Sequence, residues 1–267
     1  MTVLYAGLLD DAAIFPPGNV PVPDAVRAYR ERRSSPLLGP FICSLPRWEE
    51  LRATLTAGSP LPVALTVPGG APDVPAAIRQ ARGEPGVELA ALEVPASAGT
   101  LADLVKAVDR QVLTYVELPW VDVTAATVAA LADAGLRLKI RTGGVVATAF
   151  PDERQLAGAL VAAVQGGVPF KLTAGLHDPI RHRDPATGFE HHGFLNVLVA
   201  TARALEGGDV TAALADQDGV RVAADVAKID DALAGRVRHH FVSFGTCSVT
   251  EPIDGLVHHG LLPEDPR

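Results

Sequence analysis

Short apolar runs alternate along the chain with longer stretches whose apolar residues recur every three or four positions. A short run bounded by glycine, proline or polar residues reads as a buried strand, and the wider spacing reads as an amphipathic helix. On that basis strands are predicted at 3–9, 40–44, 63–67, 87–94, 113–118, 136–142, 170–173 and 240–244. Helices are predicted at 24–33, 47–57, 74–82, 101–110, 125–134, 153–164, 194–205 and 251–259. Gly135, Gly166 and Gly167 stand where helices end and strands begin, as helix-terminating glycines do. Eight strand-then-helix units predict an α/β protein, a (β/α)8 (TIM) barrel, as one domain over 1–267. Two segments break the rhythm: a long polar loop at about 175–193 and an extra helical stretch at about 210–234. Loops of that length are usually functional or disordered.

In such barrels chemistry sits at the C-terminal ends of the strands, and residues alternate between the interior and the helix layer. In the sixth predicted strand Leu136, Leu138 and Ile140 suit the helix side, which turns Arg137, Lys139 and Arg141 inward. The same parity argument turns Glu93, Tyr115, Glu117, Lys171 and Thr173 inward. Four consecutive strands thus offer Glu93, Glu117, Lys139 and Lys171 to one cavity. The chain has only four lysines, and the other two, Lys106 and Lys228, fall in helical stretches. Lysine is rarely buried, so one set mid-strand among apolar residues needs a partner or a task. Two on neighbouring strands would repel, which lowers the pKa of at least one, and a neutral amine is a nucleophile. A structural ion-pair network plugging the barrel is the competing reading.

Other strand exits add candidates. The first predicted strand exits through Asp10 and Asp11, either of which could act as acid, base or metal ligand. The loop after the seventh carries His177, Arg181 and Arg183, which suggests a lid clamping an anion, with Asn196 fixing ligand or lid. Gly175, Gly245 and Thr246 lie where this fold often holds phosphate on backbone amides. Cys247 reads more readily as a packed thiol than as a nucleophile.

The composition narrows the classes. A hydrophobic fraction of 48% suits a globular chain, and a net charge of -8 argues against a nucleic-acid partner. No apolar run is long enough to suggest a membrane span, and the first residues do not resemble a signal peptide. Two cysteines, Cys43 and Cys247, make no disulfide framework, which fits a cytoplasmic location. The apolar helices suit either a lone barrel or pairing into a homo-oligomer.

Two segments, Lys139 to Gly143 and Lys171 to Gly175, resemble the class I aldolase barrels of the deoxyribose-phosphate aldolase type. That resemblance implies a Schiff-base lysine at Lys139, a pKa-lowering lysine at Lys171, an acid–base group at Glu93 and phosphate bound near the last two strands. It covers about 40 residues. Ile140 and Arg141 stand where that family has small hydroxyl residues, and Glu93 stands for an aspartate. The string Phe170 to His177 is also similar to one in bacterial proteins of unassigned activity. The expected function is a carbon–carbon lyase acting on a small anionic carbonyl compound, with no cofactor and no metal. Arg141 would hold the anion. Two alternatives stand beside it: a non-catalytic barrel that binds an anionic metabolite, and a metal-assisted hydrolase using Asp10, Glu117 and His177. Full protonation of both lysines, salt-bridged to Glu93 and Glu117, would favour binding or structure over imine chemistry.

Overall fold

The computed structural model describes residues 3–56 and 58–263. Eight parallel strands close into a barrel: β1 (Leu9–Asp11), β2 (Leu38–Ser44), β3 (Leu61–Thr66), β4 (Val87–Pro95), β5 (Thr114–Leu118), β6 (Arg137–Arg141), β7 (Phe170–Thr173) and, after a two-stranded ribbon of β8 (His182–Arg183) and β9 (Glu190–His191), β10 (Phe241–Thr246). The barrel order is that of the sequence, with β1 hydrogen-bonded to both β2 and β10. The helices between them are α1 (Val22–Glu31), α2 (Trp48–Arg52), α3 (Val74–Arg82), α4 (Leu101–Ala107), α5 (Ala125–Ala134) and α6 (Glu153–Gln165). After the ribbon come α7 (Phe194–Glu206), α8 (Val210–Ala215), α9 (Gly219–Ala227) and α10 (Asp231–His240), with α11 (Thr250–His258) closing the chain.

Local chemistry sets these boundaries. Thr124 and Asp152 each accept a backbone N–H from the first turn of α5 and α6, while Thr127 and Gln155 answer from the third position. Such reciprocal caps satisfy amides that have no partner inside the helix. Gly135 ends α5 in the left-handed conformation, where a side chain would be strained. The apolar parity of β4 to β7 faces the helices: Leu92, Val94, Val116, Leu118, Leu138, Ile140 and Leu172 join the main core. A separate small cluster of Ala12, Ile42, Ala64, Ala91 and Tyr115 lines the interior. Burying such apolar surface is the dominant favourable term in folding.

Four expectations need correction. The apolar run at 3–9 is not a strand: Val3–Tyr5 forms a 3-10 turn beside α10, and β1 begins only at Leu9. Asp10 and Asp11 therefore lie inside β1 rather than beyond it. The helix predicted over 47–57 is only α2, and its predicted last residue, 57, lies outside the described residues. The stretch at 210–234 is broken at 216–218 and 228–230, and its last helix, α10, runs through His240, so the final strand starts one residue later than predicted. The loop at 175–193 is folded, with its ribbon pairing His182 with His191 and Arg183 with Glu190. Among the described residues no helix is long and apolar enough to cross a membrane.

Candidate functional site

The register of the central strands assembles the inward residues. Glu117 pairs with Lys139 across β5 and β6, and Lys139 pairs with Lys171 across β6 and β7. Lys139 Nζ lies 2.7 Å from Glu93 Oε2 and 2.8 Å from Glu117 Oε2. Lys171 Nζ donates to the other oxygen of Glu93 and to Asp10 Oδ2. Ser243 Oγ donates to the same Asp10 oxygen at 2.8 Å. Above Lys139, Arg141 Nε bonds Glu117 Oε1 at 3.1 Å. A continuous chain of charge thus runs from Asp10 through Lys171, Glu93, Lys139 and Glu117 to Arg141. Beneath it the Tyr115 ring lies 5.3 Å from the Lys171 ammonium, and Arg137 bonds the Tyr115 hydroxyl at 3.1 Å.

Burial and charge act in opposite directions on each member. Burial alone would lower the Lys171 amine, but the Asp10 and Glu93 carboxylates outweigh it and hold the pKa above the ordinary lysine value. Lys171 is therefore held as a cation. Burial would raise Glu93, yet the two lysines pull it down to about 2. Glu117 is likewise held below its ordinary value against burial, by Lys139 and Arg141. Asp10 goes the other way: burial raises its carboxyl, and Lys171 only partly offsets this. Three carboxylates face two lysines, and of the three only Asp10 has a raised carboxyl. Its other oxygen, Oδ1, is buried without a hydrogen-bond partner. It points at Gly39, where the β1–β2 register shifts by a bulge; a Cβ on Gly39 would stand 2.1 Å from it. Glycine is required there because the carboxylate fills the space a side chain would take.

The remaining predicted residues divide. Thr173 points inward beside Arg141 and Gly245, half-buried. A Cβ on Gly245 would crowd Thr173 and Ile42 at 3.2 Å, so this glycine lets the interior close. Gly175 follows Ala174, and both have positive φ. Their carbonyls and α-carbons abut β6: Thr142 Oγ1 bonds Ala174 O at 2.6 Å, and Gly143 meets Gly175 backbone to backbone. A left-handed alanine costs roughly 1–2 kcal/mol, and this crossing of two exits holds it there. Thr246 spends its hydroxyl on Ser248 O at 2.7 Å. His177 faces Glu251 of α11 at 3.0 Å. Asp11 accepts Ala13 N–H at 2.9 Å and takes no part in the network.

Two expected ligand contacts are structural instead. Arg181 is buried and tied to Glu153 at 3.1 Å and His192 Nδ1 at 3.2 Å. His192 donates from Nε2 to Pro151 O at 2.8 Å, and burial, joined by the Arg181 cation, pushes its pKa down to about 4. Asn196 is fully buried; it accepts Arg181 N–H and donates to Ala213 O and Asp216 O, each at 2.8 Å. Neither Arg181 nor Asn196 is free for substrate, and Arg183 bonds Gly188 O at the ribbon's end. The residues proposed to hold a metal do not converge: Asp10 is engaged by Lys171 and Ser243, Glu117 by Lys139 and Arg141, and His177 by Glu251. Sequence reasoning missed Ser243 and Gly39. Ser243 shares the inward parity of Gly245, which could have flagged it; Gly39 carries no sequence signal.

No family model matches the chain, and no curated protein matches it. Among solved structures, the nitroalkane oxidase from Streptomyces ansochromogenes is similar at 15% identity over 83% of this chain and 71% of that one, with a TM-score of 0.34.

Proposed function

We propose that this barrel binds a small anionic carbonyl compound at its mouth and cleaves or forms a carbon–carbon bond through an imine on Lys139. The observation that carries the reading is the sharing of one carboxylate, Glu93, between the two inward lysines, one sealed and one nearer the mouth. Lys171 stays charged in register beside Lys139, and Lys139 passes a proton to Glu117 before it reacts. The amine then adds to the carbonyl carbon, and loss of water leaves an iminium that accepts the electron pair of the breaking carbon–carbon bond. Glu117, beside Lys139 and nearer solvent, is placed to carry the proton. Arg141 is half-exposed and, among the described residues, bonds through Nε alone, which leaves its terminal nitrogens for an anion.

A second reading has its own support. Each inward amine is paired with two carboxylates, the arrangement that favours anion binding or structure without catalysis. Borohydride reduction in the presence of pyruvate, dihydroxyacetone phosphate or glyceraldehyde 3-phosphate separates the two. The imine reading expects a mass increase matching the reduced adduct. Absence of any adduct while the same compounds still bind by calorimetry would leave the binding reading standing.

A further inference from the structure

The exits of β7 and β10 bring together three side chains that the lysine network does not use. Cys247 Sγ lies 3.5 Å from His177 Nε2 and 3.8 Å from Nδ1, and Glu251 Oε2 lies 3.0 Å from Nδ1. These residues stand 70 and 74 positions apart, and the pairing of β7 with β10 assembles them. Cys247 and His177 are both half-buried, open to a small molecule. Gly18, from the turn after β1, backs the thiol. A Cβ there would meet Ala13 O at 2.7 Å and the Cys247 Cβ and carbonyl oxygen at 3.1 Å. The backbone N–H groups of Gly18 and Cys247 both favour a thiolate at this sulfur. Burial, with Glu251 and Asp11 adding to it, keeps the resting group a thiol.

We propose that Cys247, His177 and Glu251 form a second reactive site, in which the thiol adds to the carbonyl carbon of a small aldehyde. Glu251 accepts the Nδ1–H of His177 and leaves Nε2 as the base facing the sulfur. As the sulfur–carbon bond forms, the thiol proton passes to Nε2 and the carbonyl π pair moves to oxygen. That oxygen then takes the proton from Nε2. The product is a neutral thiohemiacetal; no group leaves and nothing is oxidised. Lys139 is not involved.

The chain contains its own control, because Cys43 is fully buried and burial pushes its thiol up to about 12. Iodoacetamide at pH 7, followed by peptide mass analysis of the native full chain, should label Cys247 and spare Cys43. His177→Gln should slow labelling of Cys247 roughly tenfold or more, as loss of a general base does, and Glu251→Gln should slow it less. Excess propionaldehyde should protect Cys247 in the native and Lys139→Met proteins alike, which keeps this result separate from the fate of the imine reading. Equal labelling rates in native and His177→Gln protein would overturn the proposal, as would an absence of protection. If His177→Gln does not fold, Glu251→Gln carries the same comparison on an exposed side chain, and an unchanged rate there overturns it too.

Discussion

Lys139 and Lys171 sit in register on neighbouring strands with the same inward parity, yet their surroundings differ. The Lys171 side chain is 1% exposed and enclosed by Asp10, Glu93 and the Tyr115 ring. Lys139 is 6% exposed, but its second partner, Glu117, is 22% exposed and leads to Arg141 at 52%. One lysine is sealed in a compensated charge cluster, and the other is the inner end of a path to the mouth. Residue type and strand parity are equal for the two; the exposure of their partners is what separates them, and under the proposed function it makes Lys171 the fixed cation and Lys139 the reactive amine.

The strongest way to break this contrast is to remove the sealed cation. Lys171→Met leaves Asp10 buried without its cation and Glu93 with Lys139 alone, and breaking a buried pair in this way costs about 3–5 kcal/mol. Urea unfolding at pH 7 should show that loss, and a change below about 1 kcal/mol would mean the cluster is not sealed. Arg141→Ala acts only at the other end of the path. It should weaken binding of an anionic ligand by about 1.5–3 kcal/mol in calorimetry while leaving the unfolding midpoint nearly unchanged, since exposed ion pairs contribute little to folding. Asn196→Ala should do the reverse: about 1–3 kcal/mol of stability lost from three orphaned partners, with ligand affinity intact. Gly39→Ala should cost a comparable about 1–3 kcal/mol by driving a methyl into Asp10.

The charge cluster also has a pH signature. Glu93 titrates near 4.5 when unfolded and about 2 when folded, so its contribution is present above about 4.5 and is lost as pH falls toward 2. Lys171 is raised, so its contribution is present below 10.5 and is lost as pH climbs through the higher folded value. Asp10 is raised as well and opposes Glu93: its contribution is present below 3.8 and lost as pH rises through its folded value. Denaturant midpoints between pH 4.5 and 2 should therefore fall in the native protein and fall less steeply in Glu93→Gln. Parallel slopes would show that Glu93 is not held as a carboxylate.

Much of the barrel was legible because period is a strong signal. Helices α3 and α5 and strand β7 match their predicted limits, and the inward parity of Glu93, Glu117, Lys139, Arg141 and Lys171 follows from the apolar residues between them. The first strand was misplaced because hydropathy favours Leu4, Tyr5 and Leu8, which are buried outside any strand, over the two aspartates that β1 contains. The anion clamp was half legible. Arg141, Arg181 and Arg183 look alike in sequence, and only the three-dimensional course of the ribbon shows that Glu153 and His192 neutralise or bury Arg181 while Arg141 keeps free nitrogens. Gly39 and the Cys247–His177 approach depend on contacts between neighbouring strands of the barrel, which no local pattern encodes.

The most direct test maps where a carbonyl compound is captured. After borohydride reduction with dihydroxyacetone phosphate, peptide mass analysis of the native protein should place the adduct on Lys139, with none on Lys171, Lys106 or Lys228. Lys139→Ala should abolish it. An adduct on Lys171, or one that survives Lys139→Ala at full yield, would contradict the claim that the exposure of their partners divides these two lysines into a fixed charge and a reactive amine.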